Sequence, residues 1–341
     1  MKEDIRKVQL TGKSTYIVSL PHKWVKEVGL TKGEMLTIIE QNDKSLLLTI
    51  KDSKKPAKPT EVSINIFPID KASSIIRKVI ALYLVGFNTI HVKANEERMQ
   101  LEQREKVKHF IRNLLVGTEI VADSKNTMDL QVLLSSPELS VADTLRRIAI
   151  IATSMRKDAL MSITDLNYEL AEDVIKTDDE IDRFSFYIIR QLMAAINDET
   201  IMKDISLENA RDCLGYQLIT KSVERVGDHA VSIAKNVLTL KQLVDVEIVK
   251  ALSEMSFLAI ADFEDSITSL FKRDYFLADE VVERKDHIEQ YWKEATDHIL
   301  SKKLDAETTS SLRLIIESIK RTAEYGSDIA EVVLNLTVSN L

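Results

Sequence analysis

Beyond residue 137 the apolar positions recur every three to four residues and hold that period to the C-terminus, the pattern of amphipathic helices. Six helices are predicted there, near 140–164, 167–199, 206–241, 245–273, 275–303 and 306–338. Ahead of them, residues 61–136 alternate between strand and helix periods. The pattern gives strand Val62–Phe67, helix Asp70–Val85, strand Thr89–Lys93, helix Glu97–Leu115, then strands Glu119–Ala122 and Asp129–Leu134. That βαβαββ order predicts a small α+β domain with its helices on one face of a sheet. Residues 5–50 read as four short strands, Lys7–Leu10, Tyr16–Ser19, Met35–Glu40 and Ser45–Ile50, with a short helix over Pro21–Val28. Gly12, Gly29, Gly33 and the pair Asn42 and Asp43 break the strands, and the polar, lysine- and proline-bearing run Lys51–Thr60 reads as a linker. The expected protein is multidomain and mainly α: a β-rich domain at 1–52, an α+β domain at 61–136, and helical bundles at 140–241 and 245–341.

The helical half repeats itself. Moving residues 155–182 along by 107 positions makes Asp158, Ser162, Tyr168, Leu170, Ala171, Val174, Asp179 and Ile181 coincide with identical residues at 265, 269, 275, 277, 278, 281, 286 and 288. Farther on the offset falls to 100, and Glu224, Asp228 and Ala230 coincide with Glu324, Asp328 and Ala330. Register kept over this length marks a duplicated three-helix unit.

Within the third helix of the first copy, Ile219, Val223, Val226, Ala230, Ile233 and Val237 share one face, which leaves Glu224 and Asp228 on the other, one turn apart. Glu324 and Asp328 repeat the arrangement opposite Ile319, Ala323, Gly326, Ala330 and Val333. Two carboxylates so spaced repel by a few tenths of a kcal/mol on an isolated helix, which a hard cation would offset. The preceding helix supplies further carboxylates, Asp178, Asp179 and Asp182 in the first copy and Asp286 and Glu289 in the second. Oxygen-only donors suit magnesium, manganese, calcium or oxidised iron. A single such pair on a helix surface reads as an ordinary solvated face; the duplication in register is what favours metal binding.

Composition narrows the classes. The formal charge of −8 divides unevenly: residues 1–60 hold 12 Lys or Arg against 7 Asp or Glu, and the remainder holds 34 against 47. A basic N-terminal segment is suited to a polyanion, and the acidic remainder would repel one. One cysteine, Cys213, excludes an internal disulfide framework and a multi-thiolate zinc site. There is no glycine-rich phosphate loop and no G-x-S-x-G elbow, and no histidine follows a glutamate at the three-residue spacing of a ferritin-like diiron site. An enzyme is not expected. The opening residues hold no apolar core of a signal peptide and no stretch long enough to span a membrane, so the expected location is cytoplasmic.

The run from Glu224 to Ala234, ERVGDHAVSIA, resembles the signature of PhoU, the phosphate-uptake regulator family, and Asp179 to Asp182, DEID, resembles its second-helix motif. The resemblance spans about 200 residues. It implies two tandem three-helix bundles, metal ions such as iron, manganese or magnesium on the acidic faces, and a role in phosphate-responsive control. By position the metal-site residues are Asp179, Asp182, Glu224 and Asp228 in the first copy and Asp286, Glu289, Glu324 and Asp328 in the second. The second copy departs from the signature, with Tyr325, Ser327 and Ile329 in place of Arg225, Gly227 and His229.

Arg6, Lys7 and Val8, then Gly12 and Lys13, Ser19 to Pro21, and Gly29 to Glu34 together resemble an AbrB or SpoVT swapped-hairpin domain. That resemblance implies a homodimer whose basic face holds DNA phosphates, with Arg6, Lys13, Lys23 and Lys26 as the matching residues, and the charge pattern adds Lys7 to the same phosphate-tracking surface. Trp24 reads as core rather than as a stacking platform. The combined expectation is a transcriptional regulator of phosphate uptake. The alternatives are an adaptor that binds a phosphate transporter ATPase or a sensor kinase without reading DNA, and, third, a metal-dependent enzyme.

Overall fold

A computed structural model describes residues 3–40, 44–50, 61–95, 98–134 and 140–338, apart from the side chains of Asn197, Glu199, Lys285 and Asp286. The predicted linker at 51–60, the break at Asn42 and Asp43, the helix start at Glu97 and the boundary at Pro137 lie outside the described residues. The chain divides into two compact units, Met1–Pro59 and Thr60–Leu341.

The first unit holds two antiparallel hairpins, β1 (Gln9–Thr11) with β2 (Thr15–Ile17) and β3 (Leu36–Glu40) with β4 (Leu46–Ile50), and between them helix α1 (His22–Val28). Pro21 precedes the helix with an extended backbone, and Gly29 ends it at φ 71°, a left-handed conformation that favours glycine. None of the described residues of this unit is buried. Leu10, Tyr16, Ile38 and Leu46 are all well exposed, so the alternating apolar positions of the strands have no core among the described residues of this unit.

In the second unit, β5 (Glu61–Ile66), α2 (Ala72–Val85), β6 (Thr89–Ala94), α3 (Leu101–Leu114), β7 (Thr118–Asp123) and β8 (Thr127–Val132) follow the predicted βαβαββ order. The sheet runs β5-β6-β8-β7, with β5 parallel to β6 and the other pairs antiparallel. Ile75, Val79 and Tyr83 of α2 and Val107 and Ile111 of α3 pack on Ile90, Val92, Met128 and Leu130 of the sheet.

Among the described residues eight helices follow: α4 (Val141–Thr164), α5 (Tyr168–Asn197), α6 (Glu199–Asp204), α7 (Ala210–Val237), α8 (Val246–Lys272), α9 (Tyr275–Glu283), α10 (Lys285–Ser301) and α11 (Ala306–Thr337). Polar side chains mark the starts of the long ones. Ser140 accepts from the Asp143 amide, Asn167 from Leu170, Asn209 from Arg211 and Asp212, Asp245 from Glu247, and Asp305 from Thr308. The first repeat is α4, α5 and α7; the second is α8, the α9–α10 pair and α11. The expected single helix at 275–303 is a correction: the chain turns at Arg284 and divides it into α9 and α10. The predicted apolar stripes are buried, Ile219, Val223, Val226, Ala230, Ile233 and Val237 in α7 and Ile319, Ala323, Gly326, Ala330 and Val333 in α11. α7 packs along α11 and α4 lies on α8, so the two repeats share one core.

The α+β layer is fastened to the first repeat through α5. Phe186 enters the core of that layer, 6.3 Å from Phe110 between ring centroids. The buried Arg190 guanidinium donates to the Tyr83 carbonyl, to Phe87 O at 3.1 Å, to Gly86 O at 3.4 Å and to Asn88 Oδ1 at 2.8 Å. It thereby satisfies the carbonyls left open where α2 ends, at Gly86 with φ 106°.

Candidate functional site: an acidic seam in the first repeat

Helix α5 carries Asp178 and Asp182 one turn apart, α7 carries Glu224 and Asp228 one turn apart, and the two helices pack side by side. Gly227 makes the close approach feasible. A Cβ there would stand 2.7 Å from Ile181 Cδ1 and 3.2 Å from Asp178 Oδ1. The Asp178 carboxylate therefore lies against α7 beside Glu224 and Asp228, where no side chain intervenes.

The electrostatics show how close the four groups are. Burial pushes Asp178 up to about 6, with the charges of Asp228, Asp179 and Glu224 adding to it. Asp182 is pushed up to about 7, first by burial and then by Asp178, Glu224 and Asp228. Asp228 is raised by burial and by Glu224. Glu224 accepts a hydrogen bond from Lys221, and Lys221 and Lys235 ease the repulsion without cancelling it. The seam is a half-buried patch of oxygen donors that favours either protons or a cation from outside the chain. Among the described residues no three His, Cys, Asp or Glu side chains converge on a single point for a metal ion.

Of the residues the sequence singled out, Asp182, Glu224 and Asp228 come together here, while Asp179 is exposed at the edge. Asp178 takes the fourth place. The signal was available: Asp178 and Asp182 stand four apart, as Glu224 and Asp228 do, so each helix presents an i,i+4 pair.

The second repeat is built differently. Arg284, at the break between α9 and α10, binds Asp265 at 2.7 Å, Glu280 at 2.7 Å and the buried Asp262 at 3.4 Å. Lys320 binds Glu289 at 2.6 Å and lies over the Trp292 ring, and Arg321 binds Glu324 at 2.7 Å. Asp328 is exposed, and the side chain of Asp286 lies outside the described residues.

In the N-terminal unit Arg6, Lys7, Lys13, Lys23 and Lys26 are all exposed. Lys13 sits in the β1–β2 turn, Lys23 and Lys26 are on α1, and Arg6 pairs with Asp4 at 2.7 Å. Trp24 is half-buried.

Two family models match the chain: the PhoU domain over residues 145–237 and 252–333, and "Antidote-toxin recognition MazE, bacterial antitoxin" over residues 9–59. A phosphate-specific transport system accessory protein PhoU homolog of Xylella fastidiosa is 26% identical over 163 residues, 46% of this chain and 65% of that protein. The chain thus spans just under two thirds of that relative's length. A homolog in Clostridium acetobutylicum is 27% identical over 157 residues, 46% of this chain and 70% of that protein. The crystal structure of the phosphate transport system regulatory protein PhoU from Streptococcus pneumoniae superposes with a TM-score of 0.51 at 21% identity, over 58% of this chain and 94% of that one. That of PhoU from Pseudomonas aeruginosa gives 0.51 at 17%, over 58% and 96%. At these identities the structural likeness is one of fold.

Proposed function

This chain belongs to the PhoU domain family, and we propose that it is a DNA-binding, metal-binding transcriptional regulator of phosphate uptake. The observation that carries the reading is the union, in one chain, of a basic MazE-type segment with two PhoU repeats. The relatives' names place them with phosphate transport, and the added basic segment would supply the DNA contact that a transcription factor needs. Its strands have no core of their own, which a second copy would provide, so the expected state is a homodimer. Arg6, Lys7, Lys13, Lys23 and Lys26 would then track DNA phosphates. No reaction is assigned to the protein.

The metal in this reading is a hard cation such as iron, manganese or magnesium; Asp178, Asp182, Glu224 and Asp228 of the first repeat match it in charge and donor type and would have to draw in around it, since among the described residues no three such side chains converge on one point. When bound, the cation would neutralise the seam and tie α5 to α7. Because α5 also anchors the α+β layer through Phe186 and Arg190, the seam sits on a helix that reaches beyond its own repeat.

Duplex binding by the full chain, measured at several salt concentrations on promoter fragments of its own genome's phosphate-transport genes, tests the reading. Affinity should fall steeply with salt. Arg6→Gln with Lys13→Gln should weaken binding and flatten the salt slope by about 1 for each DNA phosphate that is no longer neutralised. A chain that binds no duplex at low salt would instead be an adaptor for a phosphate transporter or sensor kinase, a reading favoured by the accessory-protein names of its relatives.

A further inference from the structure

Arg156 of α4 is fully buried, and its Nε, Nη1 and Nη2 atoms have no hydrogen-bond partner. Native interiors satisfy nearly all such donors, and a buried charge without a partner costs several kcal/mol. This fold does satisfy a buried guanidinium where one serves the architecture, as the four acceptors around Arg190 show. Burial lowers the affinity of Arg156 for its proton only to about 9, so the group is still a cation at neutral pH.

The duplication supplies an internal control. Arg156 corresponds to Phe263 in the second repeat, a buried ring that fills the equivalent place with apolar atoms. The same is true of His229 on α7, on which the charge of Arg156 acts. His229 has a buried Nδ1 without a partner, packs 5.7 Å from the Tyr325 ring, and corresponds to the fully buried Ile329. Packing alone therefore needs neither polar group.

We infer that Arg156, with the Nδ1 of His229 beside it, forms a buried site for a small tetrahedral oxyanion of the phosphate class. A guanidinium presents its donors as a planar fork that matches two oxygens of such an anion, and in a dry interior that pairing is strong. The charges of Arg225 and Arg321 also act on His229, which directly follows Asp228 of the acidic seam. The oxyanion site goes beyond the regulatory reading and does not depend on it.

The test uses the full chain, freed of metal and kept in a buffer of bulky organic anions, with inorganic phosphate as the probe. Equilibrium dialysis should find one phosphate bound per chain. At a hundredfold excess over Kd the melting temperature should rise by roughly 3–4 °C. Arg156→Met, similar in length and apolar like Phe263, should abolish both signals, and Arg156→Lys, which lacks the fork, should weaken binding at least tenfold. Arg6→Gln with Lys13→Gln, and Glu224→Gln with Asp228→Asn, should leave both intact, which separates this site from the DNA-facing residues and from metal-bridged phosphate. Absence of bound phosphate in the wild-type chain would overturn the inference, even if Arg156→Met fails to fold. So would an equal shift in Arg156→Met, or an equal shift with chloride. Loss of DNA binding with the phosphate signals intact would sink the regulatory reading alone.

Discussion

The two repeats share a fold and differ in where their positive charge comes from. At corresponding turns the first has Thr177, Asp178, Thr220 and Lys221, and the second has Arg284, Lys285, Lys320 and Arg321. The second repeat meets its carboxylates with its own side chains, Arg284 gathering Asp262, Asp265 and Glu280 while Lys320 holds Glu289. The first sets Lys221 on Glu224, as Arg321 sits on Glu324, and leaves Asp178, Asp182 and Asp228 grouped beside that pair, with Asp178 and Asp182 raised to about 6 and 7. After duplication the apolar stripes had to stay, because they make the core. The acidic faces were free to diverge, and in this account one became a self-contained salt-bridge cluster and the other a seam open to an outside cation.

The largest expected effect lies in the second repeat. Arg284→Met would leave Asp262, only 8% exposed, without its guanidinium, at a cost of roughly 2–4 kcal/mol. Thr177→Met at the corresponding position should change stability by no more than about 0.5 kcal/mol. Urea melts of the two variants make the comparison, and a neutral Arg284→Met would remove the claim that the second repeat is held by its own cation.

Next comes a pH dependence confined to the first repeat. Asp178 and Asp182 have folded pKa values near 6 and 7, above the ordinary 3.8, so the folded state holds their protons more tightly than the unfolded state does. Their contribution is least unfavourable at low pH and becomes destabilising as pH rises through about 4 to 7. In metal-free buffer, stability should therefore fall between pH 5 and pH 8, with a slope of up to about 1.4 kcal/mol per pH unit for each carboxyl that loses its proton on unfolding. Asp178→Asn with Asp182→Asn should flatten the profile; an unchanged profile would mean that the two carboxyls do not share a patch. The smallest effect is expected from Lys320→Met, which breaks an ion pair to the exposed carboxylate of Glu289 and should cost about 1 kcal/mol.

Much of the architecture was legible because periodicity reports burial directly. The stripe from Ile219 to Val237, the βαβαββ order and the helix starts near 140, 167, 245 and 306 follow from local spacing, while the start expected near 206 falls at Asn209, whose side chain caps the helix. The division at Arg284 was not, since the residues around it keep the helical period and nothing local marks the turn. At the seam, the i,i+4 pairs on both helices could be read, yet Asp179 was preferred to Asp178. Which of two adjacent aspartates faces α7 depends on the approach at Gly227, a tertiary fact. The unpartnered Arg156 was invisible for the same reason, because an arginine inside a helical pattern reads as surface until its neighbours are placed.

The most direct test of the contrast between the repeats is elemental analysis of the full chain after equilibration with Mn²⁺, Mg²⁺ or Fe³⁺ and desalting, for three proteins side by side. Wild type should retain metal. Glu224→Gln with Asp228→Asn should lose most of it, and with it the metal-induced stabilisation, which amounts to about 2.7 kcal/mol at a hundredfold excess over Kd. Glu324→Gln with Asp328→Asn should retain nearly the wild-type amount. Equal metal content in all three, or a loss confined to the second-repeat variant, would contradict the account.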